Sequence, residues 1–281
     1  MLHCNPMTAP GATRMLDYDF MRTAFLAVFL VAIVCGPVGW FLVLRGQTFA
    51  SHALSHVGFA GATGALLVGV SPLAGLSTGA LVAGILMGFA GDRVAGRDVM
   101  IGLVLSVTMG AGALFLHFLT QSASAATALL FGDILGISKG MLGWLALLSV
   151  GCLLALGIMA RPLLFASLQP ELAEAKGVPM RLLDVLFLAL VALATAECAQ
   201  ITGVLLVFTL MVAPAATVLR LGVAPLAGLM LSALLALCEA WGGLVLSWQT
   251  DYPTSFWIAA LGGIGFVAAG LFSRFVMRQT T

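Results

Sequence analysis

Charge is what this chain lacks. Only 8% of its 281 residues are charged, 12 basic and 11 acidic, for a net charge of +1. An ordinary globular protein carries about 25%, so this chain cannot wet a water-facing surface. A balance so close to neutral also excludes nucleic acid as a partner, and the loops are too short for a soluble catalytic domain. Five cysteines (Cys4, Cys35, Cys152, Cys198, Cys238) form neither an even set nor a CxxC pair, which excludes a disulfide framework. Four of them lie in apolar runs and read as small buried hydrophobes. There is no GxxxxGK[ST] loop around either lysine, Lys139 or Lys176, so any nucleotide-driven activity must use a separate subunit. There is no HExxH either, because Ala53 follows His52, and a zinc-protease reading loses its general base. Residues 1–19, with Pro6, Pro10 and Gly11, read as a loose N-terminal tail with no cleavable signal peptide ahead.

What is present is hydrophobic surface: 62% of the residues, with a mean hydropathy of +1.15. At about 20 apolar residues per crossing, that is enough for eight or nine transmembrane helices. The expected fold is an all-α polytopic membrane protein with a single transmembrane domain over 20–275 and a short cytoplasmic tail at 276–281. Charges and Pro/Gly clusters place the spans at 20–44, 48–69, 73–90, 99–119, 141–160, 182–195, 203–219, 225–248 and 255–272, with a short segment at 129–137. The sixth and seventh are either two passes or one broken, re-entrant unit. Between the fifth and sixth lies the longest polar excursion, 161–181. Basic residues gather on the cytoplasmic side. With nine passes Arg45, Arg93, Arg97, the 161–181 loop, Arg220, Arg274 and Arg278 share that side, leaving Arg14, Arg22 and Lys139 opposite. Small residues at four-residue spacing, such as Gly58/Ala62, Gly61/Ala65 and Gly265/Ala269, predict close helix packing.

Ionisable groups inside a span are default functional candidates. His52 and His56 are four apart, so both imidazoles leave one helix face, and neutral imidazole suits zinc and similar divalent ions. With a span starting near Thr48, they sit roughly 6 and 12 Å along it, a ladder from one helix end toward the midplane. Glu239, near the middle of the eighth span, needs a partner, a cavity or a proton. Glu197, after a short apolar run, is expected at an external mouth. Asp133 reads as a helix cap and His117 as an interfacial histidine. In the 161–181 loop, Pro170, alternating acids and the Gly177-Val178-Pro179 stop describe a short amphipathic helix across the cytoplasmic face, suited to docking another protein.

Six stretches in order carry a resemblance: Gly-Trp-Phe-Leu-Val-Leu-Arg (39–45), Ala-Leu-Ser-His with Gly61 (53–61), Leu-Leu-Phe-Gly-Asp-Ile-Leu (129–135), Pro-Glu-Leu-Ala-Glu-Ala-Lys-Gly-Val (170–178), Thr-Gly-Val-Leu-Leu-Val with Ala-Pro-Ala-Ala-Thr (202–217) and Asp-Tyr-Pro-Thr (251–254). Together they resemble the permease subunits of bacterial ABC importers for zinc, manganese and iron. The resemblance implies a bacterial inner-membrane homodimer, two cytoplasmic ATPase subunits and an external metal-binding protein. It implies no cofactor bound by this chain, whose cargo is the divalent ion. It also matches Pro170, Glu171, Leu172, Ala173, Glu174, Ala175, Lys176 and Gly177 to the helix that couples to the ATPase, and His56 to a metal-contacting histidine. Glu239 and Glu197 are further candidates for the ion.

Three departures stand out. His52 replaces a common aspartate, which shifts the donor set from manganese toward zinc. Ala60 stands where the family has proline before Gly61, and Gln169 where a capping aspartate is frequent. The expected function is therefore the permease subunit of an ATP-binding-cassette importer moving a divalent metal ion, zinc favoured, by alternating access. A proton-coupled secondary transporter and a non-transporting membrane anchor are the alternatives.

Overall fold

The computed structural model describes residues 15, 17–90, 97–119 and 128–279. Most of the N-terminal tail, the polar run at 91–96 with Arg93, the Ser/Ala stretch at 120–127 and the last two residues lie outside them. Ten helices are bounded within the described residues: α1 (Asp19–Leu44), α2 (Thr48–Leu67), α3 (Pro72–Ala90), α4 (Arg97–Phe118), α5 (Lys139–Leu168), α6 (Pro170–Ala175), α7 (Met180–Thr202), α8 (Val207–Arg220), α9 (Pro225–Thr250) and α10 (Thr254–Gln279). Hydrocarbon offers no partner to a backbone N–H or C=O, so the chain satisfies both within helices. The same constraint lets Pro37, Pro162 and Pro214 sit inside α1, α5 and α8 without ending them.

Among the described residues seven helices are long and apolar enough to cross a membrane: α1, α3, α4, α5, α7, α9 and α10. α2 has the length, at 20 residues, but two histidines and two serines dilute its hydropathy. α8 is apolar and has only 14 residues. With these two the count is nine, within the eight or nine helices expected, and α7 and α8 are distinct helices.

Two helices form the axis of the bundle. In α7 72% of the apolar stretch is buried and in α1 67%, against 11% in α4 and 17% in α10. α1 packs on α5, α7, α8 and α9, while α2 packs on α3, α4 and α7. Glycine makes the closest approaches. A Cβ on Gly36 would lie 2.5 Å from the Ala233 Cα of α9, and one on Gly39 would overlap the Met211 carbonyl of α8. Gly61 of α2 meets Gly75 of α3 backbone to backbone, as the small-residue spacing predicts. Ala60 leaves α2 unbroken and lies against Gly112 of α4.

Several boundaries differ from the sequence reading. α5 continues past Arg161 and Pro162 to Leu168, because Leu163 and Ala166 extend its buried face and Arg161 stays exposed on a long stem. The connection to α7 thus narrows to 169–179. α7 runs on to Thr202, enclosing Glu197 instead of leaving it at a mouth. Asp133 caps no helix; its Oδ1 accepts from the Gly136 N–H at 2.9 Å in a turn, and Ser138 is the N-cap of α5. Gln169 stands at the N-cap of α6 without a side-chain capping bond.

Residues 129–130 and 203–205 cross between helices. Val204 N–H donates to the Leu129 carbonyl at 3.2 Å and Leu205 N–H to Leu130 at 3.3 Å. The crossing depends on Gly132 (φ 80°) and Gly203 (φ 81°), which take left-handed backbone where a side chain would strike the other strand.

The α1–α8 contact gives a direct test. Gly39→Val should destabilise the protein by about 1–3 kcal/mol through overpacking, read as a lower thermal unfolding midpoint in detergent. Gly143→Ala on α5, with open space around its Cα, should change stability by less than about 0.5 kcal/mol. Equal midpoints for the two variants would contradict the packing described.

Candidate functional site

α2 starts one short turn after α1, and its first face carries the histidines. Their rings lie 4.8 Å apart between centroids at 83°, edge to face. His56 is buried at 4% exposure, whereas His52 is half-buried, so the pair does run from an open position to an enclosed one. Ser51 and Ser55, on the adjacent face, turn their hydroxyls back to the Thr48 and His52 carbonyls at 2.9 and 2.7 Å. They satisfy the helix and leave the imidazoles alone. Among the described residues neither imidazole has a hydrogen-bond partner, and the two rings meet each other. Phe49 and Phe208 flank His52 at 6.1 and 5.8 Å between centroids, and both phenyl rings are partly exposed, at 40% and 38%. Two imidazoles with unspent nitrogens and an aromatic collar can bind a soft or borderline cation weakly. Among the described residues no group of three or more His, Cys, Asp or Glu is placed to hold a metal.

The acids lie elsewhere. Glu239 is buried at 7% exposure, in a gap that α10 leaves by having glycine at 262. A Cβ there would meet Glu239 Oε2, Ala213 Cβ and Thr209 Cγ2, each at 3.2 Å. Oε2 is buried without a hydrogen-bond partner. Phe208 on α8 faces His52 and its neighbour Thr209 faces Glu239, so α8 stands between the acid and the histidines. Glu197 is fully buried, accepts from the Ser149 hydroxyl of α5 and lies among the buried thiols of Cys35, Cys152 and Cys198. This corrects the external position expected for it: the length of α7 and the serine opposite carry it into the core. His117 is exposed near the end of α4, as an interfacial histidine should be.

At the other end of α5, the sequence motif at 170–177 forms α6 and its cap. Ala173 is fully buried and anchors the helix. Pro170, Glu171, Leu172, Glu174, Ala175, Lys176 and Gly177 all face outward, and the Lys176 ammonium lies 5.6 Å from the Phe165 ring centroid. Ala173 is thus the buried residue of this short helix, and the rest of the motif is displayed on the surface.

The profile of the ABC 3 transport family matches residues 17–273. The chain belongs to that family. ABC 3 relatives agree along nearly the whole length. A manganese transport system membrane protein, MntC, of Halalkalibacterium halodurans is 27% identical over 92% of this chain and 89% of its own. A probable metal transport system membrane protein of Treponema pallidum is 32% identical over 84% and 89%. Among solved structures, PsaBC from Streptococcus pneumoniae in complex with Fab superposes with a TM-score of 0.82 at 23% identity, covering 92% of this chain and 94% of that one. That likeness establishes the fold. An ABC 3 chain of this kind is a multi-pass bacterial membrane subunit without catalysis of its own, and ATP hydrolysis belongs to a separate subunit.

Three contacts escaped the sequence reading. Phe49 and Phe208 look like ordinary span residues until α8 is laid beside α2. Arg45 and Asp184 form an ion pair between α1 and α7, their side chains only 6% and 12% exposed. The signal for it was available, since Asp184 is an ionisable residue inside the sixth apolar run. Ser149 is the third, bonded to Glu197.

Removing that serine should expose its role. Ser149→Ala leaves a buried carboxyl with one partner fewer and should lower stability by about 1–3 kcal/mol, measured by thermal unfolding in detergent. Glu197→Gln keeps an acceptor for the hydroxyl and should lower it less. The reverse order would show that the bond contributes nothing.

Proposed function

We propose that this chain is the permease subunit of an importer that carries a divalent transition-metal ion into the cytoplasm, with His52 and His56 as a relay along α2 and zinc as the favoured cargo. The observation that carries the reading is the histidine pair: imidazoles set edge to face, one half-buried and one enclosed, with their nitrogens unspent. Two weak donors suit a pathway, because an ion that must leave cannot be held by a full coordination shell. Membership of an ABC family replaces the proton-coupled alternative with ATP-driven transport. α6 supplies the docking element for the ATPase, and a second copy of the chain together with an external metal-binding protein completes the importer, as the family resemblance implies. Glu239 and Glu197, each enclosed away from the histidines, are secondary candidates for contact with the ion.

Manganese or iron is the second reading, favoured by the names of the relatives. One is a manganese transport system membrane protein, and another, from Haemophilus influenzae, is a probable iron transport system membrane protein, 28% identical over 94% of this chain and 97% of its own. The donor at position 52 discriminates. Imidazole suits zinc, whereas a carboxylate suits manganese.

Uptake of labelled zinc, manganese and iron into cells, compared at equal membrane abundance, tests the site. His52→Ala and His56→Ala should each reduce uptake severalfold without loss of protein from the membrane, and normal accumulation in both would remove the assignment. His52→Asp should raise the manganese-to-zinc uptake ratio. A ratio unmoved by that change would mean that selectivity is set elsewhere.

A further inference from the structure

Three buried polar atoms without hydrogen-bond partners lie in one turn, at Arg45 and Gln47. Arg45 is the C-cap residue of α1; its Nη2 donates to Asp184 Oδ1 of α7, while its Nε and Nη1 are buried and unpartnered. Two residues on, Gln47 is 5% exposed and its Oε1 is also unpartnered. Three unsatisfied atoms inside one hairpin call for a physical account, since buried polar groups are nearly always bonded. They do not arise from a loose backbone. Arg45, Gly46 and Gln47 N–H groups bond to the Phe41, Val43 and Leu42 carbonyls at 2.9, 3.0 and 2.9 Å, so the turn itself is fixed. What is unfinished is the side-chain arrangement. A guanidinium with two spare donors and an amide with a spare acceptor have a second bonding pattern open to them.

The position of this turn gives the unfinished pairing a use. Downstream, α2 begins at Thr48, and His52 lies one helical turn further. On the α7 side, Asp184 sits in the second turn, and α7 is tied closely to α6. Gly177 N–H bonds to the Glu174 carbonyl and Val178 N–H to Ala173, both at 3.0 Å, and Pro179 opens α7 directly afterwards. The Phe187 ring, one turn past Asp184, lies 5.5 Å from the Arg45 guanidinium carbon. A displacement of α6 therefore reaches Asp184 through a short, bonded segment. It passes to the α1–α2 hairpin through the buried Arg45–Asp184 charge pair.

We propose that the Arg45–Asp184 pair, with Gln47, transmits movement of α6 to the helix that bears His52 and His56, exchanging one side-chain pairing for another during the transport cycle. Arg45 and Asp184 are positioning residues, distant from the ion and acting through α2. This rests on the permease reading above, in which α6 meets the ATPase.

The test compares four forms of the whole transporter, permease with its ATPase and binding protein, in vesicles: wild type, Arg45→Met with Asp184→Leu, Arg45→Asp with Asp184→Arg, and His56→Ala. Thermal stability, ATP hydrolysis and zinc and manganese uptake are measured for each. An apolar pair commonly replaces a buried ion pair without loss of stability, so the Met/Leu form should unfold near the wild-type temperature and still hydrolyse ATP. It should move roughly tenfold less metal per ATP, a typical strength for coupling between sites. The charge-reversed form should recover most of that ratio. Normal metal per ATP in the Met/Leu form would overturn the proposal, because the pair would then only fill space. An unstable Met/Leu form would also overturn it if the charge-reversed form were stable and still uncoupled. Failure of the wild type to move any metal would defeat the permease reading instead, and loss of uptake confined to His56→Ala would leave that reading standing and remove this one.

Discussion

The constraint on which everything else rests is that hydrocarbon offers no hydrogen bonds. A backbone crossing it must close its own N–H and C=O groups, and this fixes the chain as helices before any side chain is considered. Burial cannot then drive helix against helix, because lipid is as apolar as leucine, and association falls to close packing and a few polar contacts. Both are visible. Gly36, Gly39, Gly61 and Gly75 bring backbones together, and Arg45–Asp184 and Ser149–Glu197 place polar links at two levels of the α1–α5–α7 core.

Within that frame α2 is the exception. It is the helix of spanning length whose composition falls short of a membrane span, and it is also the one with two histidines on a single face. It tolerates them because α3, α4 and α7 wrap its remaining surface, so its polarity is hidden in protein instead of lipid. The helix least suited to lipid is thus the one that carries the histidine pair.

How much of this could be read from the residues follows from what each feature depends on. Helix positions were legible because apolar length is a local property, and α1, α3 and α9 begin and end within a few residues of the expected spans. The histidine pair was legible because a spacing of four is also local. Glu197 was misplaced because the ends of α7 are set by tertiary partners; Ala196, Cys198 and Ala199 are buried in the core, and no periodicity marks that. The α5 boundary failed for a related reason, since Arg161-Pro162 looks like a stop and Leu163 alone does not reveal that it is buried. Phe208 beside His52, and Asp184 beneath Arg45, are facts about which helices are neighbours, which a one-dimensional pattern does not hold.

The glycine contacts have a consequence for how such a sequence can change. Where α1 crosses α8 and α9, and where α2 crosses α3, even a methyl group finds another backbone in its place. The lipid-facing flanks of α4 and α10 have room at most positions, with Gly102, Gly110 and Gly263 among those that meet nothing. Mutational tolerance is therefore arranged radially. Substitution is sterically open at such rim glycines and closed where the axial helices cross.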